Sequence, residues 1–523
     1  MRVLLLSMPD SFEHTPVLTM RMPNGALASL AGNAGPGHQV SVADLILVQD
    51  RVVPTVERLM QQYRPQVVGL SVMTFQRRTA LRLVRFLRCI DPSVTVVAGG
   101  YDPSLAPEAY ESPDSGVDYL VRGEGELTFR ALLGALEDGR DAAGIPGLSC
   151  RHPSWAGAGF RHNPPRAVSR LDGDIALPAR AARVLNGYTF MGRGIDIVET
   201  SRGCTYDCSF CSIIEMRGRN FHTFDFTRVL ADIADARARG ARAIFIVDDN
   251  ITLNVARFEA LCRAIVDAGF NDIHYIVQAM TSSIANHGDT LAPLMRRAGF
   301  RYVFLGIENV LEDDLAFLRA TAKNSRKQEN TTLAAVNVLH QHGLLVVGGL
   351  IVGNPDDTRS SIETNLAFAR KYVDWPYIQH PTPYPGTPMT RDFRERGLIV
   401  NQRVEEYDGT SAVTRSAHLD AEEIEFMRWR AERWMKVRHI PTAFRLHPGF
   451  VLTHGRGMMT HTFRGTTWRS LIGLESVRDT FRRYRQIRAQ EREYLAWPDP
   501  LASATHPSKP AAPSAETLHW VAR

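Results

Sequence analysis

Short runs of branched apolar residues alternate with amphipathic helical stretches along this chain, in two separate series. That pattern narrows the fold most, because strands alternating with helices assemble as parallel sheets covered by those helices. The first series occupies residues 1–145. Its expected strands are Val3–Leu6, Val40–Leu47, Val67–Ser71, Val94–Ala98 and Val117–Val121, and its expected helices are Ala26–Ala34, Pro54–Tyr63, Thr79–Leu87 and Thr128–Leu136. It predicts an α/β domain with a doubly wound, Rossmann-like sheet. The second series has expected strands Ile195–Glu199, Ala243–Val247, Tyr275–Val277, Tyr302–Gly306, Leu345–Ile351 and Tyr377–His380. Six βα repeats are too few to close an eight-stranded barrel, so a partial, open (β/α)6 barrel is predicted.

In both architectures ligands gather beyond the carboxyl ends of the strands. In the first series those ends carry Ser71, Gly99, Gly100 and the turn Gly123-Glu124-Gly125-Glu126. Glycines there let the backbone approach a bulky ligand. In the second series they carry Asp248-Asp249-Asn250, Gln278, Thr281, Glu308 and the turns Gly353–Thr358 and Pro383–Thr387. A solvated carboxylate pair at a strand end, and simple turn chemistry, stay open as other readings.

The loop after the first strand of the second series reads Cys204-Thr-Tyr-Asp-Cys208-Ser-Phe-Cys211. Three thiolates on one tight loop can hold three irons of a [4Fe-4S] cluster and leave the fourth iron for a substrate or cofactor. A structural zinc is the competing reading, but it wants four protein ligands. No fourth cysteine lies nearby, and His222 follows across a basic stretch.

This loop resembles the signature of the radical S-adenosylmethionine (SAM) superfamily, with Phe210 in its aromatic position. Pro65–Ser71, Val96–Gly100 and Val121–Glu126 resemble the cobalamin (B12)-binding domain found ahead of many radical SAM domains. Together the resemblances imply a cobalamin-dependent radical SAM enzyme with a [4Fe-4S] cluster on Cys204, Cys208 and Cys211. They imply that Asp248, Asp249 and Asn250 lie by the SAM amino group. Gln278 and Thr281–Ser283 fall where the ribose and carboxylate are held, and Glu308 fits the fourth-strand contact. Ser71, Gly99, Gly100, Gly123, Glu124 and Glu126 are implied to surround the nucleotide tail of cobalamin. The D-x-H-x2-G motif that supplies cobalt with a histidine elsewhere is absent, since Asp10 and His14 stand at the wrong spacing. A flavodoxin-like domain binding nothing, or another nucleotide, is the other reading of those glycine-rich turns.

The activity so implied is C-methylation. A 5′-deoxyadenosyl radical abstracts hydrogen from an unactivated carbon, and methylcobalamin donates the methyl group. An oxidative cyclase or ring-rearranging enzyme with the same cofactors is the alternative. A cobalamin- or SAM-binding regulator without turnover is a third reading. The implied partners are a small-molecule substrate, hydrophobic or carrier-bound, and a reductant such as flavodoxin or ferredoxin.

Composition sets outer bounds. The formal net charge of +5 over 523 residues is too mild to argue for nucleic acid. No apolar run reaches the ~18–20 residues of a membrane helix, and Met1–Ser7 lacks the longer apolar core of a signal peptide, so a cytoplasmic chain is expected. Cys262 falls among the apolar positions of a helix, and Cys89 and Cys150 look unpaired, as suits a reducing compartment. The expected layout is a cobalamin-binding domain at 1–145, a proline-rich linker at 146–190, a radical SAM domain at 191–400, a helical region at 401–496 and a disordered tail at 497–523. In the helical region, Ala421–Lys436 and Trp468–Tyr494 read as helices. The second carries Arg478, Arg482, Arg483, Arg485 and Arg488. That face reads as solvated, or as one turned to an anionic substrate, a partner or, as a peripheral contact, a membrane.

Overall fold

The structure is a computed structural model that describes residues 1–13, 16–151, 159–168, 171–326 and 329–494. His14 and the stretch expected to be a disordered tail lie outside the described residues. Two sheets organise the chain. The first has strands β1 (Arg2–Ser7), β3 (Gln39–Asp44), β4 (Val67–Ser71), β5 (Thr95–Gly99), β6 (Tyr119–Val121), β7 (Leu148–Cys150) and β8 (Arg161–His162), in the order β3-β1-β4-β5-β6-β7-β8. The pairs from β3 to β6 are parallel, with Val3 opposite both Val40 and Val67. Helices cover both faces, so both faces of the strands are buried. Leu4, Leu6, Val68 and Val96 pack on one side, and Val3, Leu5, Val67 and Val97 on the other. This is the doubly wound arrangement the alternation predicts.

Two details differ from the sequence expectation. The second strand stops at Asp44, and Leu45–Arg51 winds into a 3-10 turn leading into the helix Val52–Tyr63. The proline-rich stretch read as a linker contributes β7 and β8, which extend the sheet antiparallel beyond β6. Strands of two and three residues carry too little alternation to register in sequence.

The second sheet holds six parallel strands: β10 (Arg193–Val198), β11 (Ala243–Ile246), β12 (His274–Met280), β13 (Phe300–Glu308), β14 (Leu345–Ile351) and β15 (Trp375–Gln379). The six-repeat partial barrel is therefore present. Its β10 edge is extended antiparallel by β9 (Thr189–Phe190) and then by β2 (Met20–Arg21), a strand from the N-terminal region. The sequence reading placed no strand at either position. Outside the strands lies the largest core, where Ile244, Val277, Val303 and Val346 meet helix residues such as Val229, Leu261 and Leu339. Cys262 is buried there, as expected.

The C-terminal helices do not form a separate cap. The helix Ala421–Leu446 is ten residues longer than the expected Ala421–Lys436, since Leu446 lies ten beyond Lys436. It and the helix Pro448–Thr462 plug the amino end of the barrel. Ala443 and Phe450 pack with Ile195, Ala243, Ile276, Tyr302 and Leu345, all near the starts of their strands. The expected single helix Trp468–Tyr494 is two helices, Trp468–Leu471 and Val477–Tyr494, parted at Gly473 with φ 78°. No helix among the described residues is long and apolar enough to cross a membrane.

Candidate active site

At the carboxyl ends of β10 to β15 lies a cavity of about 530 Å³ whose wall includes Cys204, Cys208, Cys211, Asn250, Gln278 and Glu308. The cysteine loop leaves the short strand Ser201–Arg202 through Gly203, which has φ 88°. A Cβ there would sit 2.4 Å from the Asn220 carbonyl oxygen, so only glycine lets the loop turn in. Within the loop the Cys211 amide donates to the Cys208 carbonyl at 3.1 Å. The loop then becomes the helix Ile213–Arg217.

Burial pushes the Cys208 thiol up to about 11 and the Cys211 thiol up to about 12, so iron loading and proton loss go together. Among the described residues no three His, Cys, Asp or Glu side chains are gathered at metal-binding distance. The thiols face a common cavity rather than one another. Three soft donors with an open position fit a cluster with one open iron. Asn250 Nδ2 lies 4.0 Å from Cys204 Sγ. Phe210 also lines this cavity and packs toward Leu315 and Phe393.

The strand-end residues divide into those that face the cavity and those that do not. Asn250, Gln278 and Glu308 face it, and β12 runs through Gln278 to Met280, three residues beyond the expected Val277. Glu308 closes β13 at φ 57° and pairs with Lys323 at 2.7 Å. Asp248 is a correction. It is 1 % exposed and accepts from the Thr200 amide at 2.6 Å, from the Thr200 hydroxyl and from the Ser201 hydroxyl at 2.6 Å. Burial raises its carboxyl to about 6. It secures the start of the cysteine loop and does not line the cavity. Thr281 is a second correction, because its buried hydroxyl donates to the Gly306 carbonyl at 2.8 Å.

The sequence reading missed Lys323. It is drawn up in pKa because Glu308, Cys208 and Cys211 together outweigh its burial. It lies 15 residues past Glu308, where no local pattern marks it.

A second cavity, of about 350 Å³, lies at the carboxyl ends of β4, β5 and β6, where the two sheets' domains meet. Ser71, Gly99, Gly100, Gly123, Glu124 and Glu126 all line it. Asn24 caps the helix Gly25–Asn33 through the Leu27 amide and donates to Ser71 Oγ at 3.0 Å, which ties two of its edges together. Gly100, at φ 103°, lies where a Cβ would come within 2.8 Å of the Val72 carbonyl oxygen.

Glu126 has more to do than border this cavity. Its carboxylate accepts from Ser29 Oγ at 2.7 Å and from Arg202 at 2.7 Å. Burial opposes its ionisation, but Arg202 outweighs burial and holds it down at about 2. Arg202 also meets Glu199 at 2.8 Å and Glu124 at 3.7 Å, and it stands two residues before Cys204. Glu126 is thus a latch between domains, and Arg202 is its unforeseen partner. Asp249 lines both cavities, accepting from the Gly203 amide at 2.8 Å with Arg217 at 3.8 Å.

The sequence matches the B12 binding domain model over residues 19–133 and the Radical SAM superfamily model over residues 198–369. The chain belongs to the B12-binding radical SAM enzymes. An uncharacterized methyltransferase of Pyrococcus horikoshii is 28% identical to this radical SAM enzyme over 426 residues, covering 81% of this chain and 90% of its own. The anaerobic magnesium-protoporphyrin IX monomethyl ester cyclase of Synechocystis is 27% identical, over 66% of this chain and 67% of that one. Among solved structures, the radical SAM methyltransferase TsrM of Kitasatospora setae, with cobalamin and a [4Fe-4S] cluster bound, superposes with a TM-score of 0.63. It covers 77% of this chain and 79% of its own at 22% identity, a likeness of fold. The cofactors of this B12-binding radical SAM enzyme are thus cobalamin, SAM and a [4Fe-4S] cluster.

Proposed function

We propose that this enzyme methylates an unactivated carbon of an apolar small molecule. One observation carries the reading: the cysteine cavity and the glycine-lined cavity of the first domain share Asp249 as a wall. A radical source and a methyl donor are thereby set side by side at one barrel mouth. When bound, the cluster and SAM supply a 5′-deoxyadenosyl radical, and cobalamin supplies the methyl group.

The chain's own residues position and shield. Cys204, Cys208 and Cys211 hold the cluster. Asn250, Gln278 and Glu308 offer amide and carboxylate groups to the polar end of SAM, with Lys323 orienting Glu308. Ser71, Gly99, Gly100 and Gly123 bound the nucleotide end of cobalamin. Below the cysteines the barrel cavity is walled by Phe245, Ile276, Tyr302, Val347 and Trp375, which exclude water from a radical and accept a hydrophobic body. A flavodoxin or ferredoxin supplies the electron.

Anaerobic incubation with SAM and a low-potential reductant is expected to yield 5′-deoxyadenosine. The Cys204→Ser, Cys208→Ser, Cys211→Ser triple variant is expected to lose both the cluster absorbance and that product. SAM cleavage by the triple variant refutes the site. The cyclase relative keeps a second reading in play. Product mass decides between them, since a gain of one methyl supports transfer, whereas loss of hydrogens or an added ring oxygen supports cyclisation.

A further inference from the structure

From Arg433 to Leu474 the chain carries no Asp or Glu at all, yet it holds seven Lys and Arg residues. The same stretch carries the most exposed large apolar side chains among the described residues. Leu452 and Leu471 are each 77 % exposed, Trp468 67 %, and Ile472 and Leu474 62 %. On the helix Pro448–Thr462, Leu452, Arg456 and Met459 fall at i, i+4 and i+7 and share one outward face. The arginines of the last helix are different. Arg478 pairs with Glu423, Arg482 with Asp479, Arg483 with Glu475, Arg485 with Glu422 and Arg488 with Asp408. The basic surface is therefore the acid-free hairpin and not the Arg-rich helix that the sequence pointed to.

This surface has a passage behind it. A cavity of about 220 Å³ lies under the hairpin between Trp375, Ile440, Val451 and Met459. It shares Thr19 and Trp375 with the barrel cavity. Met459, 40 % exposed, stands at its outer side. The plugged end of the barrel thus connects, through apolar walls, to an apolar, cationic surface. Strands of five to nine residues separate this end from the cysteines, a span of about 17–30 Å.

We propose that the 433–474 hairpin docks on an anionic lipid surface, and that the cavity beneath it passes an amphiphilic lipid substrate from that surface to the cysteine cavity. This rests on the barrel cavity being the reaction chamber. Apolar side chains flanked by unopposed positive charge are the composition that binds headgroups and acyl boundaries together. A second copy of this chain is a poor occupant, because it would bring seven like charges against seven.

The test floats the full reconstituted chain with vesicles of phosphatidylglycerol and phosphatidylcholine in equal parts, and with phosphatidylcholine alone. Flotation is expected with the anionic vesicles only, and to weaken with salt. Leu452→Asp combined with Leu471→Asp is expected to abolish it, while Arg445→Ala and Arg456→Ala weaken it about fivefold per arginine removed. 5′-Deoxyadenosine formation without vesicles is expected to be unchanged in these variants, and it reports on the barrel separately. Failure of the wild type to float overturns the proposal. So does flotation indifferent to the substitutions, or a dimer in gel filtration that the same substitutions dissociate.

Discussion

Asp248 shows how one carboxylate at a strand end can serve the loop beside it instead of a ligand. It accepts from three donors on Thr200 and Ser201, four residues and less before the first cysteine. Asp248→Ala leaves those donors buried without a partner, at a cost of about 1–3 kcal/mol for each. The expected outcome is a lower unfolding midpoint together with reduced iron content after reconstitution. The neighbouring Asp249 and Asn250 face the cavities, so Asn250→Ala is expected to leave the unfolding midpoint within error and to weaken SAM binding in equilibrium titration. Two adjacent acids therefore have separable readouts, although in sequence they are indistinguishable.

Among the elements, the last helix is held by a buried charge. Arg488 meets Asp408 at 2.5 Å and also donates to Thr410, with both charged side chains 6% exposed. Phe481 and Tyr484 on the same helix pack against Phe426 and Trp429 of the long helix Ala421–Leu446. Arg488→Met strips the buried Asp408 of its charge partner, a loss of about 3–5 kcal/mol. Limited proteolysis is expected to cut first between Phe463 and Ser476 in this variant, with the barrel left intact. The strand-helix alternation made every major element of the two sheets legible, because buried parallel strands read as continuous apolar runs. It did not reveal β2, β7, β8 or β9, each two or three residues long. Their place is settled by the edges of sheets built from distant residues.

Across the whole molecule, the chain is stitched at both ends. The strand Met20–Arg21 joins the barrel sheet, and Arg464 and Tyr484 reach Glu13 in the first domain. The Arg202–Glu126 latch sits between the two cavities and gives the assembly a pH dependence. Glu126 ionises at about 2 in the folded chain against an ordinary 4.5. Its contribution is whole above pH 4.5 and is lost as pH falls toward 2, amounting to about 3 kcal/mol. Glu126→Gln is expected to flatten the stability curve in that window relative to wild type. The check is denaturant unfolding across a pH series. Arg202→Met is expected to loosen the domains and lower cobalamin retention in gel filtration.

Local pattern alone was enough for the two parallel sheets, the cysteine triad, the glycine turns and the pair of cofactors they imply, because each is encoded within a few consecutive residues. Tertiary structure alone decided which strand-end acids face a cavity. It turned Asp248 inward, bound Glu126 to Arg202 and brought Lys323 to Glu308 beneath the cysteines. It also folded the C-terminal helices into the barrel's open end and left an acid-free, apolar hairpin outside. These are pairings between residues far apart in sequence, and a buried charge or an exposed leucine is defined only by what the rest of the chain places, or fails to place, against it.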